Sequence, residues 1–231
     1  MANKTAIVTG APGNLGQAIV KKFLAEGYNV VGTIAPNDPV QIDIDDKQLE
    51  KAIVDLMNED DAEQFVQNVI SKYGSIDVVV LTVGGFAMGT VTNTKTSDIQ
   101  KQYKLNFETA YNVARPAFVQ MLQQKTGRIF LIGSKPGLSA DNSKGMIAYG
   151  LSKSLIFRLA ELMNAEAKGI DVIASVVVPG TIDTMQNRNA MPGADFSGWV
   201  KPGTIASVIY YYCTNEAETL REPVIKLYNN V

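Results

Sequence analysis

Residues 5–16 read TAIVTGAPGNLG, a short β-branched run that opens into three glycines, Gly10, Gly13 and Gly16, just as the apolar spacing of Leu15 to Glu26 begins. A strand, a bare turn and a helix in that order are the opening unit of an open α/β sheet. The alternation then repeats outward along the chain. NVVGT (29–33) and AIVDL (52–56) precede a helical stretch from Asp60 to Tyr73, and DVVVLT (77–82) precedes one from about Ser97 to Gln124. RIFLI (128–132) leads to a helix from Tyr149 to Ala167, DVIASVVV (171–178) to one from Ile205 to Cys213, and PVIKLY (223–228) closes the series. Near-continuous Val and Ile runs belong to strands buried on both faces, which requires parallel pairing with helices above and below. The expected fold is α/β: a doubly wound, seven-stranded parallel sheet in one domain over residues 1–231.

Composition narrows the chemistry. Among 231 residues the formal net charge is −2, and no run of Lys or Arg provides a surface for nucleic acid or an anionic membrane. No apolar stretch approaches the roughly 20 residues that span a bilayer. The opening MANKTAIVTG moves straight into a strand without a charged leader, and the single cysteine, Cys213, excludes an intramolecular disulfide; a cytoplasmic protein is expected. Histidine is absent. That removes Ser-His-Asp hydrolysis, His-activated cysteine chemistry and His-ligated metals, so no metal is expected and proton transfer falls to Tyr, Lys, Asp or Glu. The partner is expected to be a small molecule.

The turn Gly10–Gly16 lets bare backbone approach a pyrophosphate at a helix N-terminus, with Asn14 and Leu15 between the glycines. A tight turn without ligand is the alternative. At the end of the second strand, where an acid often holds the ribose 2′-hydroxyl, the chain has Thr33 and Ala35. With neither acid nor arginine there, NADP or NAD is expected, leaning to NADP. Asp55 could accept from the adenine amino group or cap the segment after it.

Tyr149 and Lys153 in YGLSK are four apart on a helix and so share a face. A cation near a phenol of pKa about 10 lowers it by roughly one to three units, which suits proton exchange at neutral pH. Tyr-x-x-x-Lys alone is common on helix surfaces. Here Ser134 follows RIFLIG at the carboxyl edge of the sheet, and Asn106 lies in the preceding long helix.

Asn106, Ser134, Tyr149 and Lys153 resemble, in order and spacing, the Asn-Ser-Tyr-Lys tetrad of short-chain dehydrogenases, and VVPGTIDT, with Pro179, Gly180 and Thr184, resembles that family's turn over the nicotinamide. The resemblance implies a Rossmann fold and a reductase or dehydrogenase of small carbonyl or quinonoid compounds. Tyr149 would exchange the proton at the substrate oxygen and Ser134 would hydrogen-bond that oxygen. Lys153 would lower the tyrosine pKa and hold the nicotinamide ribose, and Asn106 would support a water in the relay. It also implies a homodimer or homotetramer, paired through the helices of Asn106 and Tyr149. Two departures mark a subgroup: Asn14 stands where most members place the middle glycine, and LTVGG, ending in Gly84 and Gly85, replaces Asn-Asn-Ala-Gly. Together with PGTIDTMQNRNAMPGADFSGW (179–199) they resemble the dihydropteridine reductase branch, which differs at the positions of Asn106, Ser134 and Ala35. Phe86, Met88, Met185 and Trp199 are the expected apolar substrate contacts, and 183–203 the expected lid. A catalytically silent NAD(P)-sensing protein is the competing reading.

Overall fold

The computed structural model describes residues 3–229. Seven strands form one parallel sheet in the order β3-β2-β1-β4-β5-β6-β7, with β1 at Thr5–Thr9, β2 at Asn29–Ile34, β3 at Leu49–Ile53 and β4 at Val78–Leu81. β5 runs Thr126–Ile132, β6 Asp171–Pro179 and β7 Val224–Leu227. Ile7 is flanked by Val31 of β2 and Val79 of β4, so the apolar runs read from the sequence lie side by side.

Two-residue periodicity divides each strand between two cores. Ala6, Val8, Val30 and Val80 face one side, where α1 (Asn14–Ala25) and α8 (Pro202–Tyr211) supply Ile19, Phe23, Ile205 and Ile209. Ile7, Val31, Val79 and Ile129 face the other, against α2 (Glu59–Tyr73), α4 (Thr109–Gln124) and α6 (Ile147–Glu166). This is the doubly wound arrangement expected.

Two elements depart from expectation. β3 begins and ends three residues earlier than AIVDL, because it is an edge strand whose pairing with β2 stops at Ile53 opposite Ile34. Beyond it Val54, whose N–H still donates to Ile34 O at 3.0 Å, and Leu56 turn inward to the core. The long helix expected from Ser97 to Gln124 is three pieces: α3 (Thr96–Tyr103), a π-helical turn (Lys104–Glu108) and α4. Asn106 occupies that turn. A π turn of this kind inserts a residue and rotates the local side chains, and it recurs at functional sites.

Chain order reverses between β1 and β4, so the connections leaving these neighbours diverge to opposite faces and open a crevice at their carboxyl ends.

Candidate active site

That crevice is a cleft of ≈ 1610 Å³ running from the Gly10–Gly16 turn, past the ends of β1, β4 and β5, to the segment around Trp199. At one end, Gly10 takes φ +62°, and its N–H donates to Thr33 Oγ1 at 3.3 Å. A side chain at Gly10 would also meet Thr82 Oγ1 at 2.9 Å. Gly13 is the N-cap of α1, which has no side-chain cap and no acid in its first turn. The orphan N–H groups of a helix start are therefore left to an anion. Gly10, Gly13, Asn14, Leu15, Gly16, Thr33 and Asp55 all line this half of the cleft. Asp55 caps the segment after it, its Oδ1 accepting from Met57 N at 3.0 Å, and the residue also borders the cleft.

Asp38 also lines the cleft, a residue the sequence reading did not single out. Asp38 N donates to Ala35 O at 3.1 Å and Asn37 takes a left-handed φ of 61°, so the chain turns after Ala35 and brings an acid to the cleft that Ala35 borders. The Asn-Asp pair before Pro39 was the available turn signal.

At the other end the structure brings Ser134, Tyr149 and Lys153 together on the cleft wall. Ser134 follows β5 in extended conformation at the start of α5 (Lys135–Leu138), and Tyr149 and Lys153 occupy successive turns of α6. Burial pushes the Tyr149 phenol above its ordinary value, and the neighbouring Ser134 hydroxyl draws it partway back. Ser134 Oγ itself is buried and has no hydrogen-bond partner of normal geometry among the described residues. Lys153 donates from Nζ to Ile132 O at 2.8 Å, and burial brings its pKa down to about 8. The phenol is thus raised rather than lowered as expected, because burial is the largest influence on it.

Asn106 is placed differently from expectation. It is 1% exposed and stands behind the cleft wall rather than on it. Its Oδ1 accepts from Gly85 N at 2.9 Å, while Nδ2 faces Gly85 O at 3.1 Å, Gln102 Oε1 at 2.8 Å and Ser152 Oγ at 3.1 Å. The amide thus pairs with the Gly85 backbone as a strand neighbour would, and fixes the segment after β4. A Cβ on Gly84 would lie 2.6 Å from Asn106 Oδ1 and 3.2 Å from Lys153 Nζ, so the glycine lets the wall close onto both. Gln102 and Ser152, both buried, were unmarked in the sequence because Gln and Ser in helices are usually solvated.

Gly84, Pro179, Gly180 and Thr184 line the same half, as do Phe86 and Trp199. Phe86 packs edge-on against Tyr149 with ring centroids 5.2 Å apart. Met185 and Met88 are not on the cleft wall and are 70% and 71% exposed. In the helix α7 (Met185–Ala190) it is Gln186, Asn187 and Ala190 that face the cleft, since each residue rotates about 100° from the last and Thr184, the N-cap, sets the phase. Among the described residues no group of His, Cys, Asp and Glu could hold a metal, and no helix is long and apolar enough to cross a membrane.

An open parallel sheet with an anion-ready helix start at one end of its crevice and a Ser-Tyr-Lys group at the other defines a dinucleotide-dependent oxidoreductase. The chain belongs to the short chain dehydrogenase family, whose model matches residues 4–194. It is an NAD(P)-dependent short-chain oxidoreductase. It is 29% identical over 184 residues to an acetoacetyl-CoA reductase of Acinetobacter sp. (strain RA3849), covering 77% of this chain and 73% of that protein. It is 30% identical over 192 residues to the cyclic-di-GMP-binding biofilm dispersal mediator protein of Escherichia coli (strain K12), covering 83% and 78%. The solved structure of ElxO with NADP bound superposes with a TM-score of 0.86 at 21% identity, over 97% of each chain, a likeness of fold.

Proposed function

We propose that this protein transfers hydride between NADP(H) or NAD(H) and a compact carbonyl or quinonoid compound, with Tyr149 giving or taking the proton at the substrate oxygen. The observation that carries the proposal is the buried Ser134 hydroxyl set beside the Tyr149 phenol on the cleft wall. A substrate oxygen at this point would stand within reach of both hydroxyls.

The residues fit the dinucleotide. The glycine turn and the uncapped start of α1 would hold the pyrophosphate, and Thr33 with Asp55 would meet the adenosine. Gly84, Lys153, Pro179, Gly180 and Thr184 would surround the nicotinamide. When bound, the nicotinamide supplies or accepts the hydride. The protein does the rest. Tyr149, raised by burial, keeps its proton in the free protein and is set to release it to an oxygen gaining negative charge. Ser134 donates to or accepts from the same oxygen. Lys153, anchored on Ile132 O, places a cation that stabilises the phenolate once it forms. Asn106 holds Gly85 and through it the wall against which substrate sits.

Phe86 and Trp199 give the substrate end an aromatic lining, and the segment 183–203 is the lid above it. The acetoacetyl-CoA reductase among the relatives supports a carbonyl substrate. The likeness of 179–199 to dihydropteridine reductase supports a flat quinonoid pterin as the second candidate. Following NADPH and NADH oxidation with small ketones, diketones and quinonoid dihydropterin decides between them; cofactor binding without turnover across the panel would leave a sensor.

We also propose that Asp38 discriminates between the cofactors, since its carboxylate opposes a 2′-phosphate. Asp38→Asn keeps an oxygen for the Val40 N–H that Asp38 accepts at 2.9 Å and removes the charge. The expected result is a shift of relative affinity toward NADPH by roughly 2–5-fold, the size of a partly screened charge effect. An unchanged NADPH-to-NADH affinity ratio in fluorescence titrations would mean that the carboxylate does not face the ribose.

A cytoplasmic homodimer or homotetramer remains the expected form. α4 and α6 expose Tyr111, Val119, Leu151, Leu155 and Leu162, apolar surface that a second copy would cover. Light scattering should give a multiple of 25.0 kDa, and a monomer across the micromolar range would reject the pairing.

A further inference from the structure

The substrate end of the cleft is bounded by a loop whose base is closed. Val200 N donates to Thr181 O at 2.8 Å and Asp183 N donates to Val200 O at 2.9 Å, so the two ends of the segment are stapled together. Inside it a chain of contacts leads to the cleft. Asp183 holds Arg188 in a bidentate pair at 2.6 and 2.9 Å, the Arg188 guanidinium lies 4.8 Å from the centre of the Phe196 ring, and Phe196 packs on Trp199 at 4.6 Å. Trp199 is the last ring of this chain and lines the cleft.

What holds Trp199 from the other side comes from a distant part of the sequence. Just beyond β7, Asn229 donates from Nδ2 to Gly198 O at 3.2 Å and to Trp199 O at 3.1 Å. Asn229 itself borders the cleft. Its neighbour Tyr228 lies under the ammonium of Lys135, 4.4 Å from the ring centre, and Lys135 directly follows Ser134. The end of the last strand therefore touches both banks of the substrate site, one through Lys135 and the other through Trp199.

We propose that Asn229 is a positioning residue that sets where Trp199 stands in the substrate site and so tunes which substrates the cleft accepts. This rests on the reading of the cleft as the active site. A single side-chain amide bridging the carbonyls of Gly198 and Trp199 ties together the two peptide planes that flank the Trp199 Cα, and those planes direct the Trp199 side chain. Without it the two planes keep one backbone bond each, Trp199 N–H to Phe196 O at 3.0 Å and Val200 N–H to Thr181 O at 2.8 Å, beside Asp195, which caps Ser197, and the contact of Phe196 with Arg188.

Trp199 is the only tryptophan in the chain, so its emission reports on this loop alone. The test compares wild type with Asn229→Ala and Asn229→Asp. Acrylamide quenching of the free protein should rise about twofold in the alanine variant. It should rise at least as much in the aspartate variant, because a carboxylate of the same size would face two carbonyl oxygens with no hydrogen to give. With the best substrate of the panel, KM should rise several-fold while kcat and the affinity for NADPH or NADH hold within about twofold. Quenching unchanged in both variants, or raised quenching with KM unchanged, overturns the proposal. Wild-type protein that binds cofactor yet turns over nothing would overturn the active-site reading instead, and the quenching comparison would still decide whether Asn229 holds Trp199.

Discussion

Tyr149→Phe is expected to lower kcat/KM by about 10²–10⁴-fold while leaving the affinity for the dinucleotide within about twofold. The substitution removes one hydroxyl from a ring whose other contacts persist. The edge-on packing with Phe86 uses the ring, and the fold of α6 does not depend on the phenol. Ser134 stays in place but cannot replace the lost group, since a serine hydroxyl is too weak an acid to deliver its proton at neutral pH. At roughly 1.36 kcal/mol per tenfold, the expected loss corresponds to about 3–5 kcal/mol of transition-state stabilisation. Steady-state kinetics beside a fluorescence titration separate the outcomes. Full activity in the variant would remove Tyr149 from the chemistry and leave Lys153, with its pKa of about 8, as the titrating group in reach. Activity and cofactor affinity lost together would point to damage of the site rather than loss of a proton donor.

Gly16→Ala is expected to cripple dinucleotide binding and to destabilise the protein as well. A Cβ at this position would stand 2.2 Å from Gly10 O, 2.8 Å from Ala11 Cα and 2.9 Å from Gly10 C. All three are backbone atoms, so no side chain can swing aside, and the turn must separate from the first helical turn. Overpacking a rigid site costs about 1–3 kcal/mol, and the present contact belongs at the upper end. For a chain of this size that is roughly 5–10 °C in Tm. Displacing the start of α1 also misaims the N–H groups that would face the pyrophosphate, so Kd should rise tenfold or more, about 1.4 kcal/mol. Gly13→Ala is the internal comparison, since its Cβ would meet only Gly10 O, at 3.2 Å. The milder variant should bind more tightly than Gly16→Ala. Equal, near-normal affinity in both would show that the close approach is not what the cofactor turn requires.

The tetrad illustrates how far sequence order can go. Tyr149 and Lys153 share a helix face by periodicity alone, and Ser134 meets them because α6 is the long helix of the crossover that leaves β5 for its parallel neighbour β6. Asn106 lay in the right element, but its place behind Gly85 depends on a π turn that no propensity encodes, since one inserted residue rotates every side chain near it. Met185 failed for the same reason on a smaller scale: the loop could be located, but the phase of a helix of six residues is set by its cap.

The sequence by itself determined the α/β class, the parallel sheet of seven strands, the glycine turn and the three residues that meet at the cleft floor, because burial periodicity and helix spacing are local and repeat along the chain. Only the tertiary structure decided that Asp38 reaches the cleft, that Gln102 and Ser152 brace Asn106, and that Asn229 reaches across to Trp199. Each of these depends on a turn or an end of chain arriving at a particular point in space, and the final position is the sum of many backbone angles rather than a property of any short stretch.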